Sequence, residues 1–245
     1  MPSAPFPAPT AKYHSTTYPT LSPSRPELSA GGKSILITGG GTGIGAETAR
    51  YFALAGASRI ALLGRRPQPL LDTKAALEKE FPGIEIFAAP TDVFVKSEVD
   101  AAFDKFLGPE GKKLDVVVHG AAFTGPQGRL QDTEAEEFLA TVDKNVRASL
   151  FVSQAFLRYA KEDAVVVNIS SNAAVIEFGG RFSPYCVGKM AAIRLWDSVA
   201  GANPGLSVFH IQPGVVDTDM NREAGGIEGI GWEDHGELTS GGLLC

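Results

Sequence analysis

Residues 34–55 read SILITGGGTGIGAETARYFALA: a short β-branched run, a glycine-rich turn and an apolar helical pattern in direct succession. The run SILIT has the length and branching of a strand. Glycines at 39, 43 and 45 let the chain turn tightly and approach a pyrophosphate closely, and the helix beyond them presents free N–H groups and a positive dipole end to it. A glycine string alone is weak; a strand before it and a helix after it make it a dinucleotide-binding unit. Gly39, Thr42, Gly43, Ile44 and Gly45 are therefore the expected cradle.

Working outward, further strand-like runs occur at 59–63 (RIALL), 84–88 (IEIFA), 114–119 (LDVVVH), 164–169 (AVVVNI) and 206–211 (LSVFHI), separated by helix-length segments. Several are nearly continuous in apolar character, which suits strands covered on both faces. The alternation predicts an α/β Rossmann-type doubly wound parallel sheet in three α/β/α layers, with right-handed crossovers. It forms a single domain over residues 31–220. Residues 1–30 hold seven of the sixteen prolines and show no apolar periodicity, so they are read as a disordered or strap-like leader with Tyr13, His14 and Tyr18 as available anchors. Residues 221–245 form an atypical glycine-rich C-terminal segment.

The 245-residue chain is 44% hydrophobic and 20% charged with a net charge of −6, the composition of an ordinary globular protein without a basic face for nucleic acid. No apolar run reaches membrane-spanning length, and no targeting pattern is visible. The only cysteines, Cys186 and Cys245, do not make a disulfide framework. These readings place the protein in the cytoplasm, away from membranes, and no metal ligands are assigned.

An acidic residue about 20 positions past the glycine turn binds the ribose hydroxyls in NAD-type units. Here the second strand runs into Gly64-Arg65-Arg66. Two guanidiniums and no carboxylate favour a 2′-phosphate, which arginine grips by charge and bidentate geometry. The expected cofactor is NADP(H) ahead of NAD(H), with Arg65 as the main contact before Arg66; solvated loop charges are the duller alternative.

Tyr185 and Lys189 stand four apart at the start of a helical pattern and so share one face. A phenol, with a pKa of about 10, is a poor acid-base catalyst unless a neighbouring cation lowers it. Lys189, helped by an oxidised nicotinamide, is such a cation. Asn168-Ile169-Ser170-Ser171 ends the fifth strand at the carboxyl edge, where open α/β sheets bind ligands.

With these residues in place, residues 33 to about 220 resemble the classical short-chain dehydrogenase/reductase family. The matches are Thr38-Gly39 with Gly43 and Gly45, Asp92 after the third strand, Asn145 in the fourth crossover helix, Ser171, Tyr185-x-x-x-Lys189, and Pro213-Gly214 followed by Thr218. Singly each is common; their order and spacing together are specific. The leader and the Pro26-Glu-Leu-Ser-Ala-Gly-Gly32 entry also resemble filamentous-fungal members. The resemblance implies that Tyr185 protonates a carbonyl oxygen as hydride arrives while Ser171 holds that oxygen. Lys189 binds the nicotinamide ribose and depresses the phenol, and Asn145 holds a water in a proton relay. Asp92 with Val93 contacts the adenine; Pro213, Gly214, Val216 and Thr218 wall the nicotinamide.

Three departures stand out. His119-Gly-Ala-Ala122 replaces the usual Asn-Asn-Ala-Gly, with His119 read as a structural substitute rather than a catalytic histidine. Gly188 stands where a serine usually precedes the lysine, a helix-interior glycine costing about 0.5–1 kcal/mol. Beyond Thr218 lie 27 residues, seven of them glycine, where the family supplies a substrate-loop helix and a final strand. The end reads as truncated, which weakens any homo-oligomer and leaves the last strand as an exposed edge.

The functional expectation is an NADP(H)-dependent oxidoreductase interconverting a ketone and a secondary alcohol on a small hydrophobic, secondary-metabolite-like substrate. Phe123, Ile176, Phe178 and Phe182 supply the apolar lining. The alternatives are an NADP(H)-binding scaffold or sensor without turnover, and an isomerase or cyclase using the same pocket.

Overall fold

The computed structural model describes residues 18–108, 111–175 and 180–226. Six parallel strands, β1 (Ser34–Thr38), β2 (Arg59–Gly64), β3 (Glu85–Pro90), β4 (Leu114–His119), β5 (Ala160–Ile169) and β6 (Ser207–Ile211), form one sheet in the order β3-β2-β1-β4-β5-β6. The helices are α1 (Gly43–Leu54), α2 (Pro67–Glu80), α3 (Lys96–Leu107), α4 (Ala135–Tyr159), α5 (Ser183–Ala202) and α6 (Asp219–Glu223).

The alternation of each strand divides its side chains between two cores. Ile35, Ile37, Ile60, Leu62, Val116 and Val118 join Ala49 and Ala53 of α1 and Leu70 and Leu77 of α2. Leu36, Ala61, Leu63, Val117 and Val166 join Phe103 of α3, Val152 and Phe156 of α4 and Trp196 of α5. All five β1 side chains are buried, which explains why the deciding stretch carries no polar alternation.

The strand order reverses between β1 and β4, so the turns leaving these two strands face each other at the carboxyl edge. Gly39, at φ 76°, lies so close that a Cβ would meet Ala121 N at 3.3 Å. At this edge Thr38, His119, Asn168 and His210 occupy one register row across four strands.

Differences from the expected elements are local. β5 starts at Ala160, four residues before its apolar run, because its exposed extension pairs with β4 across a register break between Leu114 and Val116 while Lys161 bridges Asp115. A short helix, α6, follows Thr218, where no substrate-loop helix was expected. Thr218 caps it, its Oγ1 accepting from Asn221 N at 3.2 Å, and Asp219 stands in the first turn. The described part of the leader makes two proline-started 3₁₀ turns, Pro19–Leu21 and Pro26–Leu28, before Ala30 is buried and its N–H donates to Ala55 O. Tyr13, His14 and residues 227–245 lie outside the described residues.

Candidate active site

Two cavities open at the carboxyl edge and share the walls Ile44, Gly120, Ala122, Thr218 and Met220, so they form one cleft. The outer cavity, about 330 Å³, is lined by the glycine turn, Arg65, Arg66, Thr91, Val93, Phe94 and Asp219. The inner one, about 190 Å³, is lined by Ser170, Ser171, Phe182, Tyr185, Lys189 and residues 212–216.

The outer cavity fits a pyrophosphate on structural grounds. A Cβ at Gly45 would overlap the Gly39 carbonyl oxygen, so glycine there lets α1 abut the turn. A Cβ at Gly43 would stand 2.8 Å from Thr218 Cγ2. The N-cap residue Thr42 makes no side-chain cap, which leaves the first-turn amides of α1 to an incoming anion.

Arg65 and Arg66 both reach this cavity but differ in their partners. The Arg65 guanidinium lies 5.9 Å from the Phe94 ring centroid, and among the described residues no carboxylate bridges it. Arg66 is engaged: its Nη2 donates to Asp219 Oδ2 at 2.8 Å. Val93 lines the cavity, whereas Asp92 does not. The Asp92 carboxylate accepts from Phe94 N at 3.0 Å, a local turn that sets the wall formed by Thr91, Val93 and Phe94.

Ser171, Tyr185 and Lys189 meet at the inner cavity. The Tyr185 phenol and the Ser171 hydroxyl share this cavity, and the Ser171 hydroxyl oxygen accepts from Ala173 N at 3.2 Å. Lys189 is buried, with Nζ 5.7 Å from the Tyr185 ring centroid, and donates to Ile169 O at 2.7 Å. Burial pushes the two groups in opposite directions: Tyr185 is raised to about 12, and Lys189 is lowered to about 8. The neighbouring Ser171 hydroxyl opposes the rise at Tyr185 without reversing it. Within the chain burial dominates at the phenol; the expected lowering by Lys189 includes the help of an oxidised nicotinamide.

Asn145 lies behind this pair, on α4, with both of its side-chain polar atoms engaged. Oδ1 accepts from Phe123 N at 3.1 Å, and Nδ2 donates to Phe123 O at 2.8 Å and to Thr141 O at 2.9 Å. The amide thus clamps the loop after β4, while its main-chain carbonyl accepts from Ser149 Oγ at 3.2 Å.

His119 belongs to a chain of hydrogen bonds whose direction follows from donor count. Thr38 Oγ1 accepts from Gly120 N and Ala121 N, both at 3.1 Å, so its own O–H is left to donate to His119 Nδ1 at 3.4 Å. His119 Nε2–H then donates to Ser149 Oγ at 3.1 Å, and Ser149 to Asn145 O at 3.2 Å. Burial first, then the charge of Lys189, depress His119 to about 3, so it stays neutral and braces the cleft wall against α4. This agrees with a structural substitute and connects it to Asn145.

Of the expected apolar lining, Phe182 faces the inner cavity. The Phe123 ring instead packs on Phe94 and under the Lys144 ammonium, because Asn145 fixes its backbone. Ile176 and Phe178 lie outside the described residues. Pro213, Gly214, Val216 and Thr218 all line the inner cavity, and Gln212 Oε1 accepts from Asn172 N at 2.8 Å to tie the Ser171 loop to the end of β6. Sequence reasoning missed Ser149, Gln212 and Asp219; only Asp219, in a Thr-Asp helix start, carried a local signal.

Comparison with known proteins agrees with this geometry. Residues 33–227 match the family described as short chain dehydrogenase. The chain is 34% identical over 232 residues to the short chain dehydrogenase/reductase AacuD of Aspergillus aculeatus, covering 94% of this chain and 79% of the relative. An alcohol dehydrogenase from the archaeon Thermococcus sibiricus complexed with 5-hydroxy-NADP superposes with a TM-score of 0.68 at 30% identity, covering 76% of this chain and 77% of that one. An NAD⁺-bound xylitol dehydrogenase superposes with a TM-score of 0.67 at 26% identity, over 76% and 71%. Among the described residues no helix is long and apolar enough to cross a membrane.

Proposed function

The chain belongs to the short-chain dehydrogenase family, and from that premise we propose that it is an NADP(H)-dependent oxidoreductase interconverting a ketone and a secondary alcohol on a small hydrophobic substrate. The observation that carries this reading is the meeting of Ser171, Tyr185 and Lys189 on an inner cavity continuous with the glycine-lined cleft. A bound nicotinamide cofactor supplies the hydride. The chain's own residues handle the proton and the geometry.

Tyr185, raised to about 12, holds its proton throughout the neutral range and can give it to a carbonyl oxygen. Ser171, oriented by Ala173 N, offers that oxygen a second hydrogen bond and so polarises the carbonyl. Lys189, lowered to about 8, is still protonated at neutral pH, and its charge faces the phenolate left after proton transfer. Its ammonium, anchored on Ile169 O, would hold the ribose hydroxyls of the nicotinamide half. Phe182, Ile169, Val215, Val216 and Met220 give the inner cavity the apolar wall that suits a hydrophobic ketone.

NADP(H) is favoured by Arg65, which lines the outer cavity without a carboxylate partner among the described residues, and by the absence of an acidic residue directly after β2. The test is loss of NADPH absorbance over a panel of apolar ketones, comparing wild type with Tyr185→Phe. The variant is expected to lose roughly 10²- to 10⁴-fold in rate while binding NADPH almost unchanged. Retention of most activity by Tyr185→Phe would refute the proton-donor assignment.

A further inference from the structure

We propose that Asp219 sets the cofactor preference by competing with the 2′-phosphate for Arg66, an inference that rests on the NADP(H) reading above. Arg66 follows β2 and Asp219 opens α6, 153 residues further along the chain, yet Arg66 Nη2 and Asp219 Oδ2 lie 2.8 Å apart on the wall of the outer cavity. A guanidinium that a phosphate would need is therefore already occupied by an internal anion.

Three features make the occupation exchangeable rather than permanent. Both side chains are open to water, at 61% and 43% exposure, and an ion pair so placed is weak. A phosphomonoester carries about −1.5 to −2 charge at neutral pH and accepts arginine in the same bidentate geometry, so it outbids one carboxylate. Asp219 also has a second cation, Arg222 Nη2 at 3.2 Å, and would not be stranded when Arg66 turned away. Arg65, by contrast, lies over the Phe94 ring and, among the described residues, has no acid to leave. The site thus pairs one uncommitted arginine with one contested arginine.

The carboxylate acts against the phosphate twice: it holds Arg66, and it places a like charge beside the incoming dianion. A cofactor lacking the 2′-phosphate meets neither effect. Asp219 consequently lowers the affinity for NADP(H) selectively, from a helix that also supplies Met220 and Asn221 to the inner cavity.

The test uses fragments of the cofactor, so that turnover is not the readout: calorimetric binding of 2′,5′-ADP and of 5′-AMP to the full chain, as wild type, Asp219→Asn, Asp219→Glu and Arg66→Ala/Asp219→Asn. Asp219→Asn is expected to bind 2′,5′-ADP about three- to ten-fold more tightly, the range one screened ion pair and one like-charge contact give together, with 5′-AMP unchanged. Asp219→Glu should behave as wild type, the gain should vanish when Arg66 is also removed, and it should shrink at about 1 M salt, where charges beyond ~3 Å are screened. A wild type that prefers 2′,5′-ADP but shows no gain in Asp219→Asn overturns the inference alone. So does a gain that survives Arg66→Ala, or a loss of 5′-AMP affinity, which would put the carboxylate on a ribose hydroxyl. A wild type that binds both fragments equally overturns the NADP(H) reading and this inference with it.

Discussion

Gly188 offers a contest between two effects of known size. It sits inside α5, where replacing glycine by alanine ordinarily stabilises a helix by about 1 kcal/mol. Here α5 crosses α4 so closely that a Cβ at 188 would stand 2.9 Å from Asn145 Cβ and 3.0 Å from Asn145 Nδ2. The nearer atom is fixed to the α4 backbone and cannot swing away, so either the helices separate or Asn145 turns off Phe123. Overpacking of this kind costs typically about 1–3 kcal/mol. Turning the amide also breaks bonds to Phe123 N, Phe123 O and Thr141 O, at about 1 kcal/mol each. The packing loss wins, and Gly188→Ala is expected to destabilise by about 1–2 kcal/mol, lowering Tm by roughly 3–6 °C for a domain of this size. Gly201, in the same helix with nothing within 4 Å of an added Cβ, is the control, and Gly201→Ala should hold or raise Tm. Thermal unfolding followed by circular dichroism reads both. If Gly188→Ala raises Tm as Gly201→Ala does, the crossing is looser than described and the clamp on Phe123 does not depend on glycine.

Arg65→Ala is expected to remove most of the preference for NADPH over NADH, roughly ten- to hundred-fold for one charged phosphate contact, whereas Arg66→Ala removes less because Asp219 already holds it; equal losses in fluorescence titrations would contradict this. His119, at about 3 in the fold and about 6.5 unfolded, contributes full stability above pH 6.5 and loses about 1.4 kcal/mol per unit as pH falls toward 3, so His119→Asn should flatten acid unfolding over that window. Lys189, at about 8 in the fold against 10.5, binds its proton less tightly folded than unfolded, so stability should rise with pH from about 8 to 10.5. Lys189→Met should abolish that rise, as melts across the window would show.

The fold was legible because its signals are local. Five residues of uninterrupted buried strand around an Ile-Leu-Ile core, a turn only glycine can make and a helix start lie within 22 consecutive positions, and the other strands repeat the pattern. The Tyr185–Lys189 pair was legible for the same reason, since helical spacing alone puts the two on one face. What escaped was carried by contacts between distant positions. Nothing at residue 66 announces Asp219, and nothing at Phe123 shows that Asn145 will turn its ring toward Phe94 rather than into the inner cavity. Gly188 was misjudged likewise: read alone it is a helix-weakening residue, and only the facing Asn145 makes it the residue that fits.

On the proposed mechanism, burial decides how the proton donor is prepared. From sequence, the cation four residues away, helped by an oxidised nicotinamide, lowers the phenol. In the structure Lys189 is itself short of solvation: it leans on a backbone carbonyl and has been lowered to about 8, and the same burial raises Tyr185 to about 12. A group so raised is ready to keep or donate a proton and poorly placed to take one. Reduction therefore finds Tyr185 in the required protonation state without further adjustment. Alcohol oxidation needs the phenolate, which the nearby Lys189 ammonium would stabilise together with the positive charge of an oxidised nicotinamide. The two directions should accordingly differ in their pH dependence, with reduction flat across neutral pH until Lys189 begins to lose its proton near 8, and oxidation climbing with pH over the same range.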